Sequence, residues 1–228
     1  MLGGFTQTVT ASAAHATRPP IIKTNSFIIQ KYIEQPALVK RRKFDIRVWV
    51  FVSHEMEVFF FKEGYLRTSS HDYSNSKNDL DDDYIHLTNN AIQKSCPTYG
   101  VHEDGNMISF DEFRKYLKTN CNTEATTTAS NLSAVDFDKD ILPVMKYQAA
   151  ASVIAVRKKL NVSKKKQCFE LFGFDFILDQ DYNTWLIEVN TNPCLEESSK
   201  LLQRLLPRMI DDMLKLTLDK VFMPEQEL

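Results

Sequence analysis

The sequence has few cysteines, no long apolar run and almost no net charge. Its four cysteines lack the paired spacing of a metal site, and its N-terminus lacks the features of a secretory signal. We therefore expect a reducing, cytoplasmic setting rather than a disulfide framework. No apolar run is long enough to cross a bilayer, so no membrane association is expected. A net charge of -2 argues against a general polyanion binder such as a nucleic-acid-binding protein.

The composition is that of an ordinary folded protein. With 228 residues, 43% of them hydrophobic and 25% charged, the chain can bury a substantial core, and we expect one domain or part of a larger one. Residues 1–25 are dominated by small and polar residues without periodicity, which predicts a disordered or non-family leader. Residues 26–222 carry the strand and helix patterns and are predicted to form the domain, followed by a tail at 223–228.

Two apolar, aromatic-rich runs flank the polar segment 179–183 and predict a β-hairpin. Side chains alternate along a strand, so Glu188 and Asn190 share a face. A turn centred on residues 181–182 places Asp175 opposite Glu188, with about 5 Å between their Cβ atoms. Two carboxylates and an amide oxygen on an otherwise apolar surface favour Mg²⁺ together with substrate phosphates. The alternative is that these polar groups mark a solvated strand end.

A second polar set alternates with apolar residues in an earlier strand. Lys43, Asp45 and Arg47 are predicted to project from one face, and the apolar run 49–52 continues the strand. A surface ion-pair ladder would explain the alternation. The apolar continuation instead indicates a central strand, on which charged side chains tend to line a cleft.

Other segments complete the predicted sheet. A strand over 26–33 ends in an exposed hinge, where main-chain groups suit adenine binding. Two short strands are expected within 56–67, around Lys62–Gly64. From His86 to Lys94 the chain concentrates hydroxyl, amide and ammonium groups, which suit phosphate or carboxylate oxygens and equally suit a helix cap.

Three helices are predicted from apolar periodicity and capping signals. Ser109 and Glu112 have the spacing of a capping box at the start of a helix that ends near Lys118. A loop over 120–134 precedes a helix from about Asp138, and a long amphipathic helix begins near Glu196. The resulting class is α+β, with helices packed on a largely antiparallel sheet.

Several short segments, in this order, carry a family resemblance. They are Gln30–Glu34, Lys43–Arg47, Glu63–Ser70, His86–Asn89, Ile92–Lys94, Glu170–Phe176 and Trp185–Asn190. Together they cover roughly residues 26–220, and they resemble the tubulin–tyrosine ligase family of ATP-grasp carboxylate–amine ligases. The resemblance implies an ATP-grasp-like fold, ATP and Mg²⁺ as cofactors, and a free amino acid and the C-terminal tail of tubulin as partners. It implies a location in the cytoplasm and on the microtubule cytoskeleton, cilia included.

The resemblance also implies roles for individual positions. The adenine-binding strand and hinge correspond to Gln30, Lys31, Tyr32 and Ile33. Further nucleotide contacts correspond to Lys43, Asp45, Thr88 and Asn89. The catalytic cations correspond to Arg47 at the phosphates, Arg67 at the carboxylate of the incoming amino acid and Lys94 at the acceptor. The magnesium ligands correspond to Asp175, Glu188 and Asn190.

The implied reaction has two steps. ATP phosphorylates a tubulin carboxylate, and the amine of a free amino acid then displaces phosphate to form an amide. Metal ions and cations neutralise the developing charge, so no side-chain nucleophile is required. This requirement matches a sequence in which we find no Ser/His or Cys/His constellation.

Two features depart from the family pattern. Family ligases have a further lobe before the Gln30 segment, whereas this chain has about 25 poorly patterned residues there. We therefore expect the carboxyl-terminal part of a ligase, missing the amino-terminal lobe, with weak nucleotide binding and little turnover on its own. The regions Glu63–Ser70 and Tyr99–Leu117 favour tyrosine as the transferred amino acid, whereas Asn190–Cys194 is typical of the wider ligase-like group. The alternatives are a tubulin polyglutamylase or glycylase, a non-catalytic tubulin-binding module, and an ATP-grasp ligase with a small-molecule acceptor.

Overall fold

A computed structural model describes residues 28–120 and 135–222. The strands are β1 (Leu38–Val39), β2 (Arg42–Ser53), β3 (Val58–Thr68), β4 (Met107–Ser109), β5 (Phe169–Leu178) and β6 (Thr184–Asn190). The helices are α1 (Asp83–His86), α2 (Asn90–Gln93), α3 (Phe110–Asn120), α4 (Leu142–Val156) and α5 (Lys200–Val221). A 3₁₀ turn at Asp104–Asn106 precedes β4, and a π-helical turn at Phe137–Ile141 leads into α4. In the described ranges we find no helix with the length and apolarity needed to cross a membrane.

The chain divides into two units, residues 1–32 and 33–228. Of the first unit the structure describes residues 28–32, which have no regular secondary structure. The fold and the site described below belong to the second unit. The predicted boundaries at residues 25 and 222 stay predictions, because the leader and the tail lie outside the described residues.

The strands form one antiparallel sheet in the order β4-β3-β2-β5-β6, with β1 paired to β2. Strand β2 lies at the centre and is buried along eleven of its twelve residues. Its Phe, Ile, Val and Trp side chains have high β propensity and pack well on a pleated surface. The predicted α+β class, with helices on a largely antiparallel sheet, is confirmed.

One face of the sheet carries the main core. Phe44, Ile46, Val48 and Val50 of β2 alternate toward it, as the period of a strand requires. The helical side chains that pack on this face are Phe113, Leu117, Ile141, Met145, Ala149 and Val153. Each large apolar side chain buried here contributes roughly 1.5–3 kcal/mol to folding.

The opposite face of the sheet is divided along β2. At the far end, Trp49 packs with Tyr65 and with the apolar stripe of α5, which includes Leu205 and Met209. At the near end the same face of β2 carries Lys43, Asp45 and Arg47. Helix α5 packs on the apolar half, where a mostly apolar cavity of about 220 Å³ remains beside Trp49 and Phe51. The charged half lies next to a second, more polar cleft.

Two sequence-based predictions about the sheet are wrong. Residues 28–33 are not a strand: Ile28 and Ile29 are 89% and 96% exposed, and a strand requires a hydrogen-bonded neighbour. Ser26 and Phe27 lie outside the described residues. Residues 58–68 form one strand rather than two, because Gly64 serves a close approach and not a turn. A Cβ at Gly64 would lie 2.6 Å from the carbonyl oxygen of Arg47 and 2.6 Å from the ring of Phe110.

The predicted helices are confirmed with shifted ends. The Ser109–Glu112 capping box forms: Glu112 N–H donates to Ser109 Oγ at 3.2 Å, and Ser109 N–H donates to Glu112 Oε2 at 2.9 Å. Helix α5 begins at Lys200 instead of Glu196, because the hydroxyl of Ser199 accepts from Leu202 N–H as N-cap. The predicted loop over 120–134 lies, from residue 121 on, outside the described residues.

Candidate active site

Strand pairing brings the charged side chains into one row across four strands. Asp45 of β2 lies opposite Arg67 of β3, and Arg47 lies opposite Asp175 of β5. On the other side of β5, Asp175 lies opposite Glu188 of β6. Directly opposed residues on one face have Cβ atoms about 5 Å apart, so these five side chains are neighbours.

Two bidentate ion pairs dominate the row. Arg67 Nε donates to Asp45 Oδ1 at 2.8 Å, and its Nη2 donates to Asp45 Oδ2. Arg47 Nη2 donates to Asp175 Oδ2 at 2.9 Å, and its Nε donates to Asp175 Oδ1. Arg67 Nη2 also lies 2.9 Å from Asp175 Oδ2 and joins the pairs into one network. The four side chains are buried, so each charge depends on its partners.

The network holds its members in their charged forms. Burial raises the pKa of Asp175, but the hydrogen bond from Arg47 and the charges of Arg67 and Arg47 outweigh burial, so this pKa lies below its usual value. Burial lowers the pKa of Arg67, and Asp45 and Asp175 more than reverse that effect. The charged forms of Asp175 and Arg67 are therefore favoured by their neighbours in the network.

A glycine makes room for one of the arginines. Gly173 of β5 faces the site opposite Asn190, and a Cβ there would lie 3.4 Å from Arg47 Cζ and 2.9 Å from Pro193 Cβ. A larger residue would push the Arg47 guanidinium away from Asp175. Gly173 thus helps to position Arg47 at the floor of the site.

Lys43 differs from the arginines in its charge state. It is buried, and its Nζ donates to the carbonyl oxygen of His86 at 2.8 Å. Burial lowers the pKa of Lys43 to about 8, although the charge of Asp45 raises it. Lys43 is therefore the member of this face whose charge responds most readily to a bound anion.

The three predicted magnesium ligands lie together. Asn190 Nδ2 donates to Asp175 Oδ2 at 3.2 Å and to Glu188 Oε1 at 3.1 Å. The predicted pairing of Asp175 with Glu188 is confirmed, with an irregularity that the sequence did not reveal. A bulge between Asp175 and Phe176 leaves Ile187 unpaired, and it brings Asp175 and Glu188 into register.

The donor set fits a magnesium ion that is shared with a ligand. Within the described ranges we find no group of three or more His, Cys, Asp or Glu side chains placed to hold a metal, so protein carboxylates alone do not form a cage. Glu188 and the amide oxygen of Asn190 are hard donors at the cleft, and Mg²⁺ commonly takes one or two carboxylates plus phosphate oxygens. Both oxygens of Asp175 accept from Arg47, so Asp175 would join them only by exchanging an arginine contact for the metal. Glu188 is exposed toward the cleft, where such a ligand would lie.

A cleft of about 290 Å³ lies over the row. The predicted residues that line it are Arg47, Arg67, Asn89, Lys94, Glu188 and Asn190. This size is at the lower end for small-molecule sites, and it suits an amino acid or a phosphate group more than a whole nucleotide. The cleft thus combines three cations with two of the three candidate metal ligands.

The other predicted residues lie outside the cleft lining. Lys43, Asp45 and Asp175 are buried beneath it, and Thr88 is buried beside Asn89. Ile33 belongs to the second unit and does not line the cleft. Gln30, Lys31 and Tyr32 belong to the first unit, and their adenine-binding role stays a prediction.

Sequence reasoning missed part of the site. Tyr65, Asn192, Glu196 and Ser198 also line the cleft. Tyr65 was recognisable, because it lies two residues before Arg67 and shares its face of β3. The Arg–Asp pairs were not accessible in this way, because they depend on which strands lie beside β2.

Comparison with known proteins gives consistent results. A family model described as the tubulin-tyrosine ligase family matches residues 6–227. Tubulin glycylase 3D of Tetrahymena thermophila is 35% identical over 197 residues, which cover 84% of this chain and 18% of that protein. The probable tubulin polyglutamylase TTLL9 of Bos taurus is 34% identical, covering 85% of this chain and 40% of that protein. The protein monoglycylase TTLL8 of Homo sapiens is 34% identical, covering 88% of this chain and 22% of that protein. The chain thus spans between about a fifth and two fifths of the length of these relatives.

Proposed function

The chain belongs to the tubulin-tyrosine ligase family, and on this basis we propose that it is part of an ATP-dependent ligase that joins an amino acid to a carboxylate of tubulin. The observation that carries the proposal is the row of Asp45, Arg67, Arg47, Asp175 and Glu188 across four strands, at the floor of a cleft. A reaction of this kind gathers phosphate, carboxylate and metal in one place. The proposed function also places the protein on microtubules.

The two arginines are suited to anionic reactants. A guanidinium binds carboxylate or phosphate oxygens with paired, directional hydrogen bonds. Asp175 orients Arg47 and Asp45 orients Arg67, so little reorganisation is needed when charge develops on the reacting groups. We assign Arg47 to the phosphoryl oxygens and Arg67 to the carboxylate of the incoming amino acid.

The residues on β5 and β6 are suited to magnesium. Asp175, Glu188 and Asn190 would hold Mg²⁺, which neutralises charge on the transferred phosphoryl group when it is bound. Lys43 and Asp45 would support the nucleotide from below and Asn89 from the cleft wall, whereas Lys94 would face the acceptor. Binding of a phosphate near Lys43 would favour its protonated form and so strengthen the contact.

The transferred amino acid is assigned from the relatives. Those reported above are named as glycylases or a polyglutamylase, so the preference for tyrosine predicted from Glu63–Ser70 is not supported. The names of these relatives support the alternative, a tubulin glycylase or polyglutamylase, and we propose glycine or glutamate as the transferred amino acid. An exposed lysine, Lys94, beside two arginines suits an acidic acceptor such as a tubulin tail.

Incorporation of labelled amino acids into tubulin by the purified protein tests the proposal. Because little turnover is expected of this chain on its own, we expect slow ATP-dependent incorporation of glycine or glutamate and still less of tyrosine. Glu188→Gln should abolish it, whereas Glu197→Gln, an exposed position outside the cleft lining, should not. Efficient tyrosine transfer would contradict the assigned amino acid. Tubulin binding without any incorporation would instead select a non-catalytic module.

A further inference from the structure

A thiol, an imidazole and a carboxylate form a second polar row, which is separate from the cleft. Cys96 Sγ lies 3.6 Å from His71 Nε2, and His71 Nδ1 lies 3.0 Å from Asp82 Oδ2. The order is that of a nucleophile, a base and a group that orients the base. None of the three residues lines the candidate active site.

Main-chain and side-chain contacts fix each member of this row. Asp82 caps α1 by accepting from Tyr84 N–H at 2.8 Å, so its carboxylate has a defined position. The Tyr84 ring packs edge-on against the His71 ring, with 5.7 Å between ring centroids. Cys96 N–H donates to the carbonyl oxygen of Gln93 at 2.9 Å, and Thr98 Oγ1 lies 3.2 Å from Cys96 Sγ. The row is therefore held by the fold from three segments.

The electrostatics agree with this geometry. The hydrogen bond with Asp82 raises the pKa of His71 above its ordinary value. Burial raises the pKa of Cys96, but hydrogen bonds with Thr98 and Ser70 and the charge of His71 reverse that effect and leave this pKa below its ordinary value. Both directions favour a thiolate beside an imidazolium.

We propose that His71 and Asp82 activate Cys96 toward hydroperoxides, and that Cys96 is a site of reversible oxidation. His71 Nε2 takes the thiol proton, and the thiolate sulfur attacks one oxygen of hydrogen peroxide. The O–O bond breaks, sulfur is oxidised by two electrons to a sulfenic acid, and the departing hydroxide takes the proton from His71 and leaves as water.

The burial of Cys96 selects the type of reactant. Cys96 is 5% exposed and lines none of the larger cavities in the described ranges, so a small oxidant is favoured over a polymer or a bulky substrate. His71, with its side chain 40% exposed, gives the exchanged proton a route to solvent.

Oxidation at this position has a route to the active site. Cys96 lies two residues after Lys94, which lines the cleft. In the same segment, Gln93 accepts hydrogen bonds from Ser70 N–H at 2.8 Å and from Ser70 Oγ at 2.6 Å. An added oxygen beside Cys96 Sγ must displace Thr98, His71 or Ser70, all of which lie close to the sulfur. The segment that carries Asn89 and Lys94 would shift with them.

Oxidation of the purified protein by hydrogen peroxide, followed by removal of the peroxide, denaturation in the presence of dimedone to trap sulfenic acid, and site-resolved mass spectrometry, tests the proposal. Cys194, which is exposed, is the control within the same chain. We expect Cys96 to react about tenfold faster than Cys194 at neutral pH despite its burial, since the thiolate is the nucleophile. Slower reaction of Cys96 than of Cys194 would overturn the proposal, and this comparison needs no variant.

Variants separate activation from simple exposure. His71→Gln should slow labelling of Cys96 to the rate of Cys194 or below, and it should leave Cys194 unchanged. Asp82→Asn should raise the pH at which Cys96 begins to react, because His71, Thr98 and Ser70 face the thiol and Asp82 acts through His71. If either change speeds the labelling of Cys96, its burial and not its activation controls reactivity, and the proposal fails.

Discussion

The two halves of one face of β2 differ in what covers them. Near its start, Arg47 lines a cleft, and Lys43 and Asp45 lie buried beneath it. Further along, Trp49 and Phe51 are covered largely by α5 and by neighbouring aromatic rings. The same strand, with the same alternation, therefore produces a hydrophobic layer and a charged site. Burial of apolar surface stabilises the hydrophobic layer, whereas paired charges stabilise the charged site.

Burying the charged side chains of this half costs desolvation free energy, and pairing each carboxylate with an arginine limits that cost. Each aspartate of the row accepts a bidentate arginine, so the charged groups that the fold buries there are paired. The apolar half shows the converse, because the indole Nε1 of Trp49 is buried without a hydrogen-bond partner in the described ranges. Packing against α5 compensates for that loss, and packing could not compensate for an unpaired guanidinium.

Removal of a shared carboxylate is the largest expected perturbation. Asp175→Asn leaves Arg47 and Arg67 buried with incomplete partners, and we expect a loss of about 3–5 kcal/mol in the free energy of unfolding. Urea denaturation measures it. Asp181→Asn, at an exposed turn position, is the matched control and should change stability by less than about 0.5 kcal/mol. A loss below 1 kcal/mol for Asp175→Asn would show that the pairs are solvated.

Truncation in the apolar half should cost somewhat less. Leu205 of α5 is 1% exposed and packs in the cluster with Trp49, so Leu205→Ala should reduce the free energy of unfolding by about 2–4 kcal/mol. Leu218→Ala, at a half-exposed position of the same helix, serves as the control. Equal effects at both positions would mean that α5 does not cover this half as described.

Glu188 should separate stability from function. It is exposed, so Glu188→Gln should change the free energy of unfolding by less than about 0.5 kcal/mol in denaturation experiments. The same change should abolish Mg²⁺-dependent ATP turnover, because a carboxylate donor to the metal is lost. A large loss of stability with turnover retained would show that Glu188 has a structural role and does not bind the metal.

Lys43 should give an effect on stability that depends on pH. Its pKa in the folded protein is lowered to about 8 from 10.5, so between those values the unfolded chain binds more protons. The contribution of Lys43 to stability therefore rises as pH increases through this window, by an amount on the order of 1 kcal/mol. Denaturation of the wild type from pH 7.5 to 10 should show this rise relative to Lys43→Met. Lys62→Met, an exposed control, should retain it.

The sequence was most informative where a local pattern and a strand period coincide. The pairing of Asp175 with Glu188 followed from the hairpin turn, and the common face of Lys43, Asp45 and Arg47 followed from alternation. The capping box at Ser109 was likewise local. These features require knowledge of only a few neighbouring residues.

Other features depend on contacts between distant segments. In the sequence, Gly64 suggests a turn. In the structure it lies within a continuous strand, and a glycine is needed there because the ring of Phe110, 46 residues later in the chain, packs against it. The same limit applies to the strand predicted over 26–33, whose composition suits pairing but whose described residues, 28–33, have no strand neighbour. The arginine–aspartate network required the order β3-β2-β5-β6, and the hairpin pattern alone does not give that order.

Titration of the protein with a non-hydrolysable ATP analogue, with and without Mg²⁺, tests the central claim most directly. If the charged half of the β2 face is a magnesium–nucleotide site, binding should require Mg²⁺, should weaken at least tenfold in Glu188→Gln, and should be unchanged in Glu197→Gln. Equal affinity with and without Mg²⁺, or equal affinity in all three proteins, would contradict the account.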